Sequence, residues 1–169
     1  MKHTKEKAMR KGILGALTLL GMVFCLHLSG IRAEAAGPRD GEIVDGSLLT
    51  SDTEATASFE NQLRSGLLAR GHARLVNQGN GVVFIEGQTT CYQTCDRVRM
   101  YLYLEKLVGN EWEPVVQRTA TARDYFFTET SETFSLETGV YYRLESTHSA
   151  SKGTDAETRP ACTDGIYLQ

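Results

Sequence analysis

Cys91 and Cys95, separated by three residues in GQTTCYQTCDRVRMYLYLEKL, are the side chains whose types and spacing most suggest chemistry. Such a pair can close a disulfide, contribute to a metal site or exchange thiols. In an extended strand, positions four apart lie roughly 13 Å from each other, whereas a disulfide needs Cα atoms within about 4.4 to 6.8 Å. The pair can therefore join only if Tyr92-Gln93-Thr94 is coiled, and a connection between two strands is expected there. Closing so small a loop is worth roughly 2 kcal/mol, against roughly 4 kcal/mol for tying either cysteine to Cys162. The short bridge forms with less search. Thiol exchange is disfavoured by the C-x3-C spacing and by the lack of a following helix to lower a thiol pKa. Zinc needs four ligands, and beyond residue 35 only three cysteines, His72 and His148 are on offer, without a second close pair. The expectation is a structural Cys91–Cys95 disulfide, with Cys162 left over, no metal and no cofactor.

No catalytic residue is assigned. His72 and His148 read as polar residues on or near solvent, since no serine or cysteine stands in a nucleophile signature. Carboxylates are scattered: Glu86, Asp96, Glu105, Glu111, Glu113, Asp124 and Glu129. Two of them could flank a glycosidic bond only if the fold brings them together. Asp155, Glu157 and Asp164 match no calcium-loop pattern.

Tyrosines make the more specific signal. Tyr101 and Tyr103 share one side of an alternating segment, and Tyr141 points outward on a later one. Tyrosine faces of this kind hold sugars or peptides through apolar ring contact and hydroxyl hydrogen bonds. The plainer explanation is cross-strand pairing with Arg99 or Arg143.

The elements that must position these residues alternate with period two. Leu67 to Val76 is a first strand, Asn80-Gly81 supplies a hairpin, and Val82 to Glu86 returns. Val98, Met100, Leu102 and Leu104 then face inward, with Arg99, Tyr101, Tyr103 and Glu105 outward. Further strands are expected at Trp112 to Thr121, Thr130 to Leu136, Val140 to Thr147 and Ile166 to Leu168. In the sixth, Tyr141, Arg143 and Glu145 are placed outward, and a polar loop is expected from Ser149 to Cys162. About seven strands without an amphipathic helix predict an all-β, antiparallel β-sandwich over 63–169, with a small barrel as the alternative.

Ahead of that domain, Lys2, Lys5, Lys7, Arg10 and Lys11 precede an apolar run from Ile13 to Leu28 and then Ala33-Glu34-Ala35. This is the order of a signal peptide over 1–35, cleaved before Ala36. The run falls short of the roughly 20 apolar residues of a spanning helix. Lipidation at Cys25 is disfavoured by the bulky Phe24. A flexible arm is expected over 36–62, where small and acidic residues show no sustained period. Six of the 18 basic and two of the 21 acidic residues lie in the first 35, so the remainder carries twelve against nineteen, a net charge of −7. Such a chain repels phosphate backbones, which argues against nucleic acid as a partner. After cleavage nothing marks it for a membrane.

The segments TTCYQTCDRVRMYLYLEKLVGNEWEPV, TGVYYRLESTHSASKG and TDGIYLQ together resemble a family of small secreted β-rich proteins from Gram-positive, largely clostridial, bacteria, to which no activity is assigned. The resemblance spans about Gly66 to Leu168; Val140 stands where a tyrosine is common in the family. It implies export and a β fold. The reading as a whole is a secreted, non-enzymatic β-sandwich that binds an extracellular glycan, peptide or surface protein through Tyr101, Tyr103 and Tyr141. The alternative is a small secreted hydrolase using carboxylates or a histidine.

Overall fold

The computed structural model describes residues 49–62 and 66–169, and all regular structure among them is β. The expected signal peptide, Cys25 and the first part of the arm lie outside the described residues. Eight strands follow in chain order: β1 (Leu49–Thr50), β2 (Glu54–Glu60), β3 (Leu68–Gly79), β4 (Val82–Val108), β5 (Glu111–Ser135), β6 (Val140–Lys152), β7 (Asp155–Cys162) and β8 (Gly165–Leu168). They join in one curled sheet, antiparallel except where β1 runs parallel to β8.

The organising element is β4. One edge pairs with β5 from Val82 to Val108. The other edge changes partner: β3 pairs with it as far as Cys91, and β6 takes over from Arg97. Where the partner changes, the register with β5 passes from Thr90–Phe127 to Cys95–Tyr125, so β4 carries three residues more than its neighbour. A bulge of this kind bends the strand and sharpens its twist. It also switches the buried side of β4, from Val83, Ile85 and Thr89 before the bend to Val98, Met100, Leu102 and Leu104 after it.

The bend turns the two halves of the sheet toward a common core. Ala55, Ala73, Leu75, Val83 and Ile85 come from the first half, and Met100, Leu102, Leu104, Tyr142, Leu144, Ile166 and Leu168 from the second. A smaller apolar cluster of Leu67, Leu68, Cys91, Cys95, Val98 and Ala150 fills the bend, with Phe59 against it. The hairpin from β3 to β4 turns at Asn80 and Gly81, whose φ values of 55° and 73° are those such a turn demands.

Several expected boundaries are corrected. The second and third expected strands are one strand, β4, and the fourth and fifth are likewise one, β5. The expected polar loop 149–162 is instead the end of β6, a turn at Gly153 with φ 58°, and β7. Within the expected arm, β2 pairs with β3 from Glu54 to Glu60. The side of β6 expected to face outward is buried at Arg143 and Glu145, as are Glu105 and Tyr103 opposite them on β4.

Candidate functional site

The bend places the cysteines. Tyr92, Gln93 and Thr94 bulge out exposed while Cys91 and Cys95 both turn inward, so the coil that a bridge requires is present. Both are thiols in the structure, and the expected disulfide is not closed in it. Burial pushes the Cys91 thiol up to about 12, reinforced by the adjacent Cys95 thiol and by Glu157. A thiol held protonated is a poor nucleophile and a poor metal ligand. Cys162 stands elsewhere, opposite Glu145 on β7. Among the described residues no group of three or more His, Cys, Asp and Glu could hold a metal ion.

The histidines separate. His148 is fully buried, contrary to the expectation of a solvent position. Its Nδ1 meets Thr89 Oγ1 at 2.7 Å and its Nε2 meets Ser146 Oγ at 2.9 Å, with the Phe59 ring edge-on at 5.3 Å. Burial, with His72 adding to it, lowers its pKa to about 4. A neutral imidazole enclosed by hydroxyls joins the two halves of the sheet and is out of reach of a substrate. His72 lies in β3, opposite Gln88 on β4.

Glu105, Arg143 and Trp112 form a second buried polar group. Arg143 Nε donates to Glu105 Oε2, and the guanidinium carbon lies 4.5 Å from the Trp112 ring centroid. Trp112, at the start of β5, is buried and covers the pair.

The three expected tyrosines do not form one platform. Tyr101 and Tyr103 stack with centroids 6.3 Å apart, but Tyr103 is buried. Tyr141 stands with Tyr167, centroids 5.0 Å apart, and the Glu105–Arg143 row lies between it and Tyr103 in the register. Tyr101 stands apart from Tyr141, half-exposed under the Arg99 guanidinium, whose Nη1 donates to the Tyr101 hydroxyl at 2.8 Å.

Around Tyr101 the register of four strands assembles a polar face that sequence reading missed. Directly opposed residues on neighbouring strands lie on the same side of a sheet. One row holds Arg123, Arg97, Ser151 and Ala156; the next holds Thr121, Arg99, Ser149 and Thr158; the third holds Thr119, Tyr101, Thr147 and Pro160. No acidic residue occupies these rows. A cleft of about 200 Å³ opens on this part of the sheet, lined by Arg97, Arg99, Ser149, Ser151, Glu157 and Thr158 among others. The Glu157 carboxylate is turned away and engaged, accepting from the Leu67 and Leu68 amides at 2.7 and 2.9 Å. Near the Arg123 end, at the bend, Tyr125 and Phe126 are a second exposed aromatic pair, centroids 4.8 Å apart.

No protein-family model matches this chain. No curated protein matches it either.

The opposite arm of the sheet carries a different groove, about 450 Å³, lined by Phe84, Glu86, Glu129, Thr130 and Ser131. Glu86 pairs with Ser131 and Gln88 with Glu129, so the two glutamates are diagonal neighbours. Glu86 is engaged by Arg74 at 3.8 Å and by the Gln88 amide at 3.3 Å. Among the described residues, Glu86 and Glu129 are thus two of the scattered carboxylates that the fold gathers in a groove. Asp96 instead accepts from the Gly153 amide at 2.8 Å and pins the β6–β7 turn to the bend.

Proposed function

We propose that the protein is exported and acts outside the cell as a non-enzymatic binding module for a glycan, taken up on the face around Tyr101. The observation that carries this reading is the acid-free set of rows centred on Arg99 and Tyr101, with serine or threonine hydroxyls on the other three strands. Half-exposed rings give sugars apolar contact, and hydroxyls and guanidinium groups give them hydrogen bonds. Export rests on the order of charge, apolar run and small residues in the first 35 positions. In an oxidising compartment Cys91 and Cys95 would join as a staple of the bend, and would do so during folding, before burial holds Cys91 protonated.

The test is a glycan array probed with the purified protein and with its Tyr101→Ala variant. Binding by the parent and at least a tenfold loss in the variant is the expected result; no binding to any glycan defeats the reading.

A hydrolase is the competing reading, and the Glu86–Glu129 groove is the observation in its favour. Glycoside hydrolysis asks for two carboxyl groups across a scissile bond with one free to give up a proton, whereas Glu86 is engaged by Arg74 and Gln88. Oligosaccharide turnover that disappears on Glu129→Gln would decide for it.

A further inference from the structure

Arg97 on β4 and Arg123 on β5 are directly opposed, and both are exposed. Like charges in that relationship repel and destabilise a sheet. Among the described residues neither has a carboxylate or hydrogen-bonding partner. Arg99, one row further, commits Nη1 to Tyr101, while its Nε is shielded from water without a partner. Three arginines thus share adjacent rows of one face on a chain whose net charge beyond residue 35 is −7, and the one carboxylate lining the adjoining cleft is engaged by the Leu67 and Leu68 amides and by Arg159.

We infer that this patch is an anion subsite, and that the glycan proposed above is an acidic one whose carboxylate or sulfate group lies between Arg97 and Arg99, with Arg123 at its rim. The inference rests on the glycan-binding reading and narrows it. A planar guanidinium offers paired donors that match the oxygens of a carboxylate or sulfate. Ser149 and Ser151, opposite Arg99 and Arg97, supply hydroxyls at the same level. An anion there offsets the Arg97–Arg123 repulsion. Tyr101, one row away on the same strand, is placed to receive the ring that carries the anionic group.

The experiment is calorimetric titration of the purified protein, and of its Arg97→Ala and Arg99→Ala variants, with a sulfated, a uronic-acid and a neutral oligosaccharide at moderate salt. Binding of one or both acidic sugars at least tenfold tighter than the neutral one is expected, and which acidic sugar binds separates sulfate from carboxylate. Each substitution should lower the acidic affinity about tenfold and the neutral affinity by less, so that the preference for the acidic sugar narrows. Thermal unfolding of each variant verifies that it is folded; Arg97 is exposed, so its loss leaves the core intact. Equal affinity for neutral and acidic sugars, or an acidic preference that survives both substitutions, overturns the anion subsite and leaves the glycan reading standing. No binding of any of the three defeats both.

Discussion

Gly87 and Met100, both on β4, face each other across the core: a Cβ added at Gly87 would lie 2.7 Å from the Met100 sulfur. The same Cβ would come within 2.8 Å of Leu102 Cδ2. The strand therefore packs against itself, and the missing side chain at Gly87 is what lets its two halves close.

Gly87→Val should accordingly destabilise the protein by about 1 to 3 kcal/mol, the usual cost of overfilling a packed core. Urea unfolding of the parent and variant measures it. An unchanged midpoint would mean that the halves do not meet as described.

A second consequence concerns acid. The folded pKa of His148 is about 4, below the value of roughly 6.5 in an unfolded chain. Between those values the unfolded chain binds the proton and the folded one does not. Stability is then intact above about pH 6.5, declines as the pH falls toward 4, and has lost on the order of 3 kcal/mol below that. An imidazole resonance titrating near 4 is expected for His148; one titrating near 6.5 contradicts its enclosure by Thr89 and Ser146.

The buried ion pair gives a third. Arg143→Met leaves the Glu105 carboxylate buried without its guanidinium and should cost about 3 to 5 kcal/mol. Joint replacement with Glu105→Leu should cost less than the two single changes summed, as measured by a double-mutant cycle in urea. Simple additivity would show that the two side chains do not act as a pair.

The cysteines supply a fourth. After folding under oxidising conditions, alkylation in denaturant should label Cys162 and spare Cys91 and Cys95 until a reductant is added. Closing that loop is worth roughly 2 kcal/mol. Mass spectrometry showing all three labelled without reductant rules out the staple.

Much of the framework is legible in the residues themselves. The alternation of Val98, Met100, Leu102 and Leu104 identifies one buried side, and all four are fully enclosed. Asn80-Gly81 marks its hairpin because few residues tolerate the required φ. What could not be read depends on pairing between distant segments. DAETRPAC looks like a loop since it is largely exposed as β7, and EATASFE hides β2 because its inward positions are partly filled by alanine. The extent of β4 was obscured at the bend, where the bulge breaks the period. The candidate site has the same origin: Arg97 and Arg123 become neighbours only through the β4–β5 register. Parity alone places Tyr103 outward, and parity does not reveal that both sides of a curled sheet are covered at that end.

The most direct measurement is amide chemical-shift mapping of the protein titrated with an acidic oligosaccharide. Shifts gathered at Arg97, Arg99, Tyr101, Ser149 and Thr158, with Glu86 and Glu129 undisturbed, are the predicted result. Shifts centred instead on the Glu86–Glu129 groove, or none at saturating sugar, would contradict it.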